Sequence, residues 1–298
     1  IKPSNEQAIE SFFLDYCQNN QVVYSHVVTH FLELCTPFFQ KLNKISKAKV
    51  IGVDHNPRPL EGYPLEKKIE KKVKGILFSR YIDLFVGVSE VSKNDLISDF
   101  GIHIKSKSKV IDNGLDLTKF VIKNVFHSNT KFIIACNLRK EKGVQDVIEA
   151  IKSLNNVNFT IDIYGEGNYE SVLREMVQKY SLDKIITFKG SVANLFEIYS
   201  QYDYLIHPSH GETFCYSVVE SLLCQLPVIT TIHQGNVLGL VADNVNGFLF
   251  NEMDSDALTT IIKKILLNKS TIKSFPKDPV LLDLSLDKMV QNHLQLVL

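Results

Sequence analysis

Short apolar runs alternate with longer amphipathic stretches along the chain, and this alternation constrains the fold more than any other feature. The runs are rich in Val, Ile and Phe, as in Lys49-Val-Ile-Gly-Val53, Leu84-Phe-Val-Gly-Val88 and Lys131-Phe-Ile-Ile-Ala-Cys136. Runs of this kind between turn signals predict buried strands, and strands that alternate with helices predict parallel sheets. Because the alternation occurs in both halves, it predicts an α/β protein with two doubly wound Rossmann-like domains that face a cleft.

The predicted elements follow one another closely. In the first half, helices and strands are predicted at Glu6–Gln18, Gln21–Tyr24, from Phe31, and at Lys49–Val53, Lys67–Arg80, Leu84–Val88, Ser89–Phe100 and Lys109–Asp112. In the second half they are predicted at Lys131–Cys136, Val144–Leu154, Phe159–Tyr164, Tyr169–Tyr180, Lys184–Phe188, Ala193–Tyr199, Tyr204–Ile206, from Cys215, and at Pro227–Thr230 and Ser255–Leu267. A polar stretch, Lys119–Thr130, is typical of an interdomain linker, so we predict domains at residues 1–122 and 123–278.

Composition narrows the class of protein. The 298 residues are 45% hydrophobic and 22% charged, which is typical of a globular protein with a substantial core. The formal net charge is zero, which gives no support for nucleic-acid binding. Five scattered cysteines without Cys-x-x-Cys spacing favour a reducing cytoplasm and argue against a structural zinc site. The chain begins at Ile1 rather than Met, which leads us to expect a missing N-terminal segment.

Two acids flank a predicted strand-to-helix junction in the second half. Glu212 lies in the polar turn after the strand Tyr204–Ile206, and Glu220 lies in the first turns of the next helix. The carboxyl edge of a parallel sheet is where ligands bind, and a helix start presents free N–H groups and a positive dipole end. This arrangement suits a ligand with hydroxyls and phosphates, such as a sugar nucleotide. The alternative is that both acids are solvated side chains favoured by the helix dipole.

The motifs of the second half carry a resemblance to a known family. They are Pro208-Ser-His-Gly-Glu-Thr-Phe-Cys215, Glu220-Ser221, Pro227-Val-Ile229, Glu141-Lys-Gly143, Gly165-Glu-Gly167, Phe188-Lys-Gly190 and Asn246-Gly-Phe-Leu249. With looser matches at Ser25-His26, Asp54-His55, Gly87-Val-Ser89 and Asn113-Gly114, they make the chain similar to glycosyltransferases of the GT-B fold. Within these it resembles the retaining family 4, which includes many cell-envelope polysaccharide enzymes.

The resemblance implies a role for each donor-side residue. It implies that Glu212 contacts the transferred sugar, that Glu220 contacts the ribose hydroxyls and that Lys142 neutralises the diphosphate. Asn137 stands where the family has an Arg, and Arg139, two residues on, is the candidate replacement. The backbone N–H groups of four residues would meet the distal phosphate, and two positions would lie near the base; these are Phe214, Cys215, Tyr216 and Ser217, and Gly190 and Val192. The family usually has Gly where Thr213 and Cys215 stand.

Candidate residues in the first half concern the sugar and the acceptor. His55 opens the loop His55-Asn-Pro-Arg-Pro59, and the resemblance implies that it touches the transferred sugar. His26 and Arg58 are weaker candidates for the acceptor, since a lone strand-end His is more often structural. Segment Lys67–Arg80 places Ile69, Val73, Ile76 and Leu77 on one helical face, with lysines on the others. A basic face of this kind can contact anionic lipid at the inner membrane surface, which suits an enzyme with a lipid-linked acceptor. The commoner explanation is a solvated helix face.

Together these features predict retaining, metal-independent transfer of a hexose-type sugar from a nucleotide-diphosphate donor to a glycan or lipid-linked acceptor. No Asp-x-Asp pair marks a catalytic metal site and no cofactor is expected. The predicted location is cytoplasmic or peripheral at the inner face of the membrane. Residues 279–298 are predicted to form a helix that packs back on the first domain. Two alternatives stay open: a sugar-nucleotide epimerase or hydrolase of the same fold, and a truncated or inactive sugar-nucleotide-binding module that lacks a first strand and a Gly-rich loop.

Overall fold

The computed structural model describes residues 6–21, 23–122, 129–154, 158–267 and 271–298. The chain divides into two compact units: unit 1 comprises Ile1–Asn113 and Met289–Leu298, and unit 2 comprises Gly114–Lys288. The division therefore falls after Asn113, ahead of the polar stretch that predicts the linker. Part of that stretch, residues 123–128, lies outside the described residues.

Unit 1 is a parallel α/β unit. Its elements are α1 (Glu6–Asn20), β1 (His26–His30), α2 (Pro37–Ile45), β2 (Lys49–Asp54), α3 (Leu65–Phe78), β3 (Leu84–Gly87), α4 (Glu90–Phe100) and β4 (Ser108–Val110). The strand order is β1-β2-β3-β4 and every pairing is parallel. The described strands thus run one way across the sheet, without the reversal that a doubly wound order requires. Ser89 caps α4 by accepting a hydrogen bond from the Ser92 N–H at 3.1 Å.

The start of unit 1 departs from the prediction in two places. The predicted strand at Gln21–Tyr24 is wrong, because Gln21 has a positive φ and Val23 is almost fully exposed; the strand is β1, five residues on. The predicted helix from Phe31 is also wrong. Phe31 and Cys35 both have positive φ, which an α-helix excludes, and α2 begins only at Pro37, whose fixed φ suits a helix start.

Unit 2 contains the larger sheet. Its strands are β5 (Thr130–Ala135), β6 (Phe159–Tyr164), β7 (Ile186–Gly190), β8 (Tyr204–His207), β9 (Val228–Thr231) and β10 (Gly247–Phe250). Its helices are α5 (Val144–Ile151), α6 (Glu170–Lys179), α7 (Leu195–Ile198), α8 (Tyr216–Leu223), α9 (Ser255–Leu266) and α10 (Val280–Asp283), and α11 (Leu286–Leu294) follows at the end of the chain. The predicted parallel α/β fold is confirmed.

The strand order of unit 2, β10-β9-β8-β5-β6-β7, places a topological switch point between β5 and β8. The chain runs outward from β5 to β7 and then returns to the other side of β5. The two central strands pair in parallel, with Phe132 opposite Tyr204, so their carboxyl ends lie side by side. Loops that leave such a pair diverge to opposite faces and open a crevice, where ligands bind in open α/β sheets.

Helix α3 has an unusual orientation in unit 1. Its buried positions are Lys71 and Gly75, and Gly75 lies so close to α4 that a Cβ there would be 2.0 Å from the Phe100 carbonyl oxygen. Its apolar side chains are exposed instead; Leu65 and Ile76 are 72% and 70% exposed. No helix among the described residues is long and apolar enough to span a membrane.

Candidate functional site

The residues at the carboxyl ends of β5 and β8 form one polar cluster. The loop after β5 leads into a short 3-10 turn, Lys140–Lys142, and the loop after β8 leads to α8. Lys142 Nζ lies 2.6 Å from Glu212 Oε1, and His207 Nε2 lies 3.0 Å from the same oxygen. All three side chains are largely buried. The structure therefore brings two of the predicted site residues together, although the sequence predicts separate ligand contacts for them.

The electrostatics of this cluster keep Glu212 ionised. Burial alone raises the pKa of a carboxyl group, because it removes water from the charged form. Here the hydrogen bond and charge of His207, followed by those of Lys142, outweigh burial and hold the Glu212 pKa at about 2. Glu212 is thus a carboxylate at any physiological pH, with a cation as its direct partner.

A glycine and the hydrogen bonds of His210 fix the two loops against each other. Gly143, directly after Lys142, has φ 70°, and a Cβ there would lie 1.9 Å from the Pro208 carbonyl oxygen. His210 donates its backbone N–H to the Glu141 carbonyl oxygen at 2.8 Å, and its Nε2 lies 2.5 Å from Asp146 Oδ2. Only glycine fits this close approach at a left-handed φ. The position of Lys142 is therefore determined by the loop that carries Glu212.

Helix α8 starts where the sequence predicts, with Cys215 as its N-cap. Cys215 has φ 71°, a conformation that favours glycine, and its thiol donates to the Gly235 carbonyl oxygen at 3.2 Å. Ser217 Oγ donates to the Ala135 carbonyl oxygen at 2.6 Å, which ties the first turn to the end of β5. Phe214 is buried and Tyr216 is half exposed. The Val218 N–H donates to the Cys215 carbonyl oxygen at 3.1 Å, whereas Tyr216 and Ser217 precede the first carbonyl acceptors that a helix supplies to its own N–H groups.

Glu220 lies one turn further along α8. Its Oε2 accepts a hydrogen bond from the Tyr199 hydroxyl at 3.0 Å, and Tyr199 is fully buried. Burial raises the pKa of the Glu220 carboxyl, and the Tyr199 hydrogen bond offsets only part of that rise. The ionised form of Glu220 therefore lowers the stability of the folded protein. A raised pKa of this kind is typical of an acid that binds a ligand.

We expect Glu220→Gln to increase the free energy of unfolding at pH 8, on the order of 1 kcal/mol, because the amide keeps an acceptor for Tyr199 without a buried charge. A carboxyl whose folded pKa is raised contributes stability below its unfolded pKa and loses it as the pH rises through the folded pKa. The gain should therefore shrink at pH 4. Urea unfolding at both pH values measures it, with the exposed Glu197→Gln as control. If Glu220→Gln is less stable than the parent at pH 8, the charge of Glu220 does not destabilise the folded protein and the prediction is wrong.

The remaining donor-side candidates lie around the same edge but do not join the cluster. Arg139 is half exposed, and its Nε lies 3.2 Å from Glu141 Oε1. Asn137 is exposed, and its carbonyl oxygen accepts the Arg139 N–H at 2.9 Å. Gly190, with φ 72°, ends β7, where its carbonyl oxygen accepts from the Gly165 N–H, and Val192 is exposed just beyond it.

In unit 1, His55 follows β2 and contacts the last residue of β1 and the residue directly after it. Its Nε2 lies 3.0 Å from His30 Nδ1, and the Phe31 ring stacks on it at 4.2 Å. Burial first, and then the charges of His30 and His293, lower the His55 pKa to about 4. His55 is therefore neutral at pH 7. His26 lies at the first position of β1, at the opposite end of the sheet from His55, so it is not the strand-end histidine; His30 is.

Arg58, a predicted acceptor-side residue, pairs with internal partners. One guanidinium nitrogen lies 2.9 Å from Asp54 Oδ2 and another lies 2.9 Å from Asp99 Oδ2. Lys71 Nζ lies 3.1 Å from the same Asp99 oxygen. Arg58, Asp54 and Lys71 line a cavity of about 290 Å³ together with Glu33, Asn56 and Tyr63. In the loop after β2, Arg58 therefore neutralises the largely buried carboxylates of Asp54 and Asp99.

Three groups of residues are not identified by the sequence analysis. His207 contacts Glu212 and Tyr199 donates to Glu220. Their only signal in the sequence is position, since His207 ends β8 and Tyr199 directly follows α7. The pair Asp254 and Asp256 has Asp-x-Asp spacing, but Asp254 caps α9 by accepting from the Ala257 N–H at 2.9 Å. The group that could hold a metal ion among the described residues is His207, Glu212 and Cys215, whose ligand atoms lie within 4.8 Å of one another.

Comparison with known proteins supports the predicted similarity of the second half to glycosyltransferases. Residues 118–277, more than half of the chain, match the family model for glycosyl transferases group 1. Over 122 residues the chain is 38% identical to the GtfA subunit of a UDP-N-acetylglucosamine–peptide N-acetylglucosaminyltransferase from Streptococcus pneumoniae, covering 39% of this chain and 24% of that protein. It is 28% identical over 158 residues to WcaL, a putative colanic acid biosynthesis glycosyltransferase of Salmonella typhimurium, covering 49% of this chain and 38% of that protein.

Solved structures extend the similarity in fold to nearly the whole chain. HepE from Anabaena, in complex with UDP-glucose, aligns with a TM-score of 0.80 at 19% identity, covering 97% of this chain and 82% of that one. Pneumococcal GtfA, in complex with UDP and GlcNAc, aligns with a TM-score of 0.73 at 20% identity, covering 97% and 60%. The curated relatives are longer, since the chain spans 24% to 50% of the first three. The chain belongs to the glycosyl transferases group 1 family, with the GT-B fold.

Proposed function

We propose that this chain carries out retaining, metal-independent transfer of a hexose-type sugar from a nucleotide-diphosphate donor to a glycan or lipid-linked acceptor, within the family 4 pattern. The observation that carries the proposal is the buried ion pair of Lys142 and Glu212 at the switch point between β5 and β8. When a diphosphate binds at this edge of the sheet, the Lys142 ammonium can exchange the Glu212 carboxylate for a phosphate oxygen as its partner. No enzymic nucleophile is needed if the leaving phosphate and the acceptor hydroxyl share one face of the sugar.

The proposed roles follow from this exchange. Lys142 would transfer its charge from Glu212 to the diphosphate, where it stabilises negative charge that grows as the bond to the sugar breaks. Glu212 would then accept hydrogen bonds from sugar hydroxyls, with His207 still donating to it. Glu220 would accept from the ribose hydroxyls, and the N–H groups from Phe214 to Ser217 would donate to the distal phosphate. His55, neutral at pH 7, would contact the transferred sugar.

The names of two similar proteins guide the choice of donor. The pneumococcal relative is named for UDP-N-acetylglucosamine, and HepE is solved with UDP-glucose. A thermal-shift screen of this chain against UDP-, GDP- and ADP-sugars tests the proposal, followed by an assay for transfer of radiolabelled sugar to glycan and lipid-linked acceptors. A shift with one class of donor and labelled product support it. Labelled free sugar or an epimer without acceptor indicates a hydrolase or epimerase, and binding without turnover indicates a binding module.

The location at a membrane surface is a separate part of the proposal, supported by α3. Five apolar side chains are exposed along this helix: Leu65, Ile69, Val73, Ile76 and Leu77. The segment from 65 to 80 carries six Lys or Arg residues and two Glu residues. An exposed apolar stripe between basic side chains complements an anionic lipid surface, which takes up the apolar groups and pairs with the lysines.

We expect Ile69→Glu/Ile76→Glu to weaken binding to vesicles that contain anionic lipid by at least about tenfold, since each buried isoleucine contributes about 1.5–3 kcal/mol. Co-sedimentation with phosphatidylserine-containing and neutral vesicles measures the effect. Ile102→Glu is the matched control, because Ile102 is 73% exposed outside α3. Unchanged sedimentation of the double variant, or equal loss in the control, contradicts the assignment of α3.

A further inference from the structure

Three different ligand atoms meet at the carboxyl end of β8. An imidazole nitrogen of His207, a carboxylate oxygen of Glu212 and the sulfur of Cys215 all lie within 4.8 Å of one another. His207 and Cys215 are buried, and the side chain of Glu212 is 12% exposed. Cys215 supplies the thiol at a left-handed position, φ 71°, where the resemblance predicts Gly.

This set of atoms selects for one class of metal. Magnesium and calcium bind oxygen ligands, and the cluster supplies only one residue of that type. Thiolate, imidazole and carboxylate together form the ligand set of zinc, and a site with three protein ligands leaves a fourth tetrahedral position for water or a phosphate oxygen. We propose that His207, Glu212 and Cys215 bind a thiophilic divalent cation of the zinc type.

Binding requires a rearrangement of charge that the structure makes explicit. The Lys142 ammonium lies 2.6 Å from Glu212 Oε1, the oxygen that also faces His207. A divalent cation on this carboxylate displaces the ammonium, because two cations repel strongly at contact distance in a buried site. The Cys215 thiol gives its proton to solvent as the metal–sulfur bond forms, and His207 presents its Nε2 lone pair. The metal and the Lys142–Glu212 pair therefore exclude each other.

The consequence for catalysis rests on the proposed function. If Glu212 holds the sugar and Lys142 the diphosphate, a metal on Glu212 competes with the donor. Zinc should then inhibit transfer, whereas magnesium should have no such effect because it does not favour thiolate. The metal site would be a means of inhibition and not part of the reaction.

Cobalt titration of the full chain tests the site directly, because cobalt replaces zinc and absorbs light when a thiolate binds it. We expect a thiolate-to-cobalt charge-transfer band that saturates at one equivalent and disappears on addition of zinc. Cys215→Ser and Cys215→Gly should abolish the band, and His207→Gln should weaken binding by at least about tenfold. Cys224→Ser is the matched control, since Cys224 is a buried cysteine at the other end of α8 and should leave the band intact.

The outcomes separate this inference from the proposed function. A band that persists in both Cys215 variants, or no band at cobalt concentrations up to the millimolar range, overturns the metal site. The absorption measurement needs neither donor nor acceptor. A band that depends on Cys215 in a chain without transfer activity would support the metal site and count against the proposed function alone. Circular dichroism of each variant shows whether a missing band reflects loss of the ligand or loss of the fold.

Discussion

Glu212→Gln lowers kcat/KM for sugar transfer by about 10²-fold or more, which is the scale of removing one preorganised polar group from a reacting centre. The amide keeps the size of the side chain and one acceptor oxygen, but it removes the charge that pairs with Lys142 at 2.6 Å. Charged acceptors bind hydroxyls more strongly than neutral ones, so the sugar loses its strongest proposed contact. Steady-state kinetics with the donor identified by thermal shift measure the change.

The control for this variant is Glu141→Gln. Glu141 lies in the neighbouring loop, is exposed, and has Arg139 as its ion-pair partner. Its replacement should change kcat/KM by less than about twofold, as expected for a surface ion pair. Full transfer activity in Glu212→Gln would show that the carboxylate is structural, and the proposed sugar contact would then be abandoned.

Lys142→Met lowers kcat more than it raises the donor KM, because neutralisation of the leaving diphosphate matters most in the transition state. We expect a loss of about 10²–10³-fold in kcat, comparable to removing one group of an oxyanion hole. The free energy of unfolding of the same variant should fall by roughly 3 kcal/mol, because the buried Glu212 carboxylate then keeps only His207 of its two partners in the cluster. Chemical unfolding measures this second effect.

A double-mutant cycle sharpens the test of the ion pair. Lys142→Met/Glu212→Gln should recover part of the stability that Lys142→Met loses, since the buried charge is then gone. Lys140→Met is the matched control: it removes a lysine from the same 3-10 turn, where Lys140 is exposed. If the control and Lys142→Met lose the same activity, the general charge of the turn matters and the specific contact does not.

The sequence predicts the location of Glu212 and Lys142 but not their pairing. Each follows an apolar strand, so each is expected at the carboxyl edge of a parallel sheet. That β5 and β8 are neighbours depends on strand order, which arises from contacts between residues about 70 positions apart and leaves no local pattern. The role of His207 is equally hidden in the sequence. A histidine at the end of a strand has many structural uses, and its contact with Glu212 is visible only in the structure.

The errors in unit 1 have a similar physical origin. Arg58 follows β2 in a polar loop, and the sequence does not show that one of its partners, Asp99, lies 41 residues away in α4. The period of α3 correctly predicts an apolar face, but a period does not show which face is buried. That is decided by Gly75, whose missing side chain lets the backbone approach Phe100, and by Asp99, which pairs with buried Lys71.

The order of strands in unit 2 also bears on how such a chain tolerates insertions and deletions. Lys142 and Glu212 follow the two innermost strands, while β7 and β10 lie at the rims of the sheet. Lengthening a loop beside a rim strand leaves the central pairing of Phe132 with Tyr204 in place, whereas one extra residue between β8 and Glu212 would turn the carboxylate away from Lys142. Variation in length among homologous chains should therefore accumulate at the rims, and the distance from His207 to Glu212 should stay fixed at five positions.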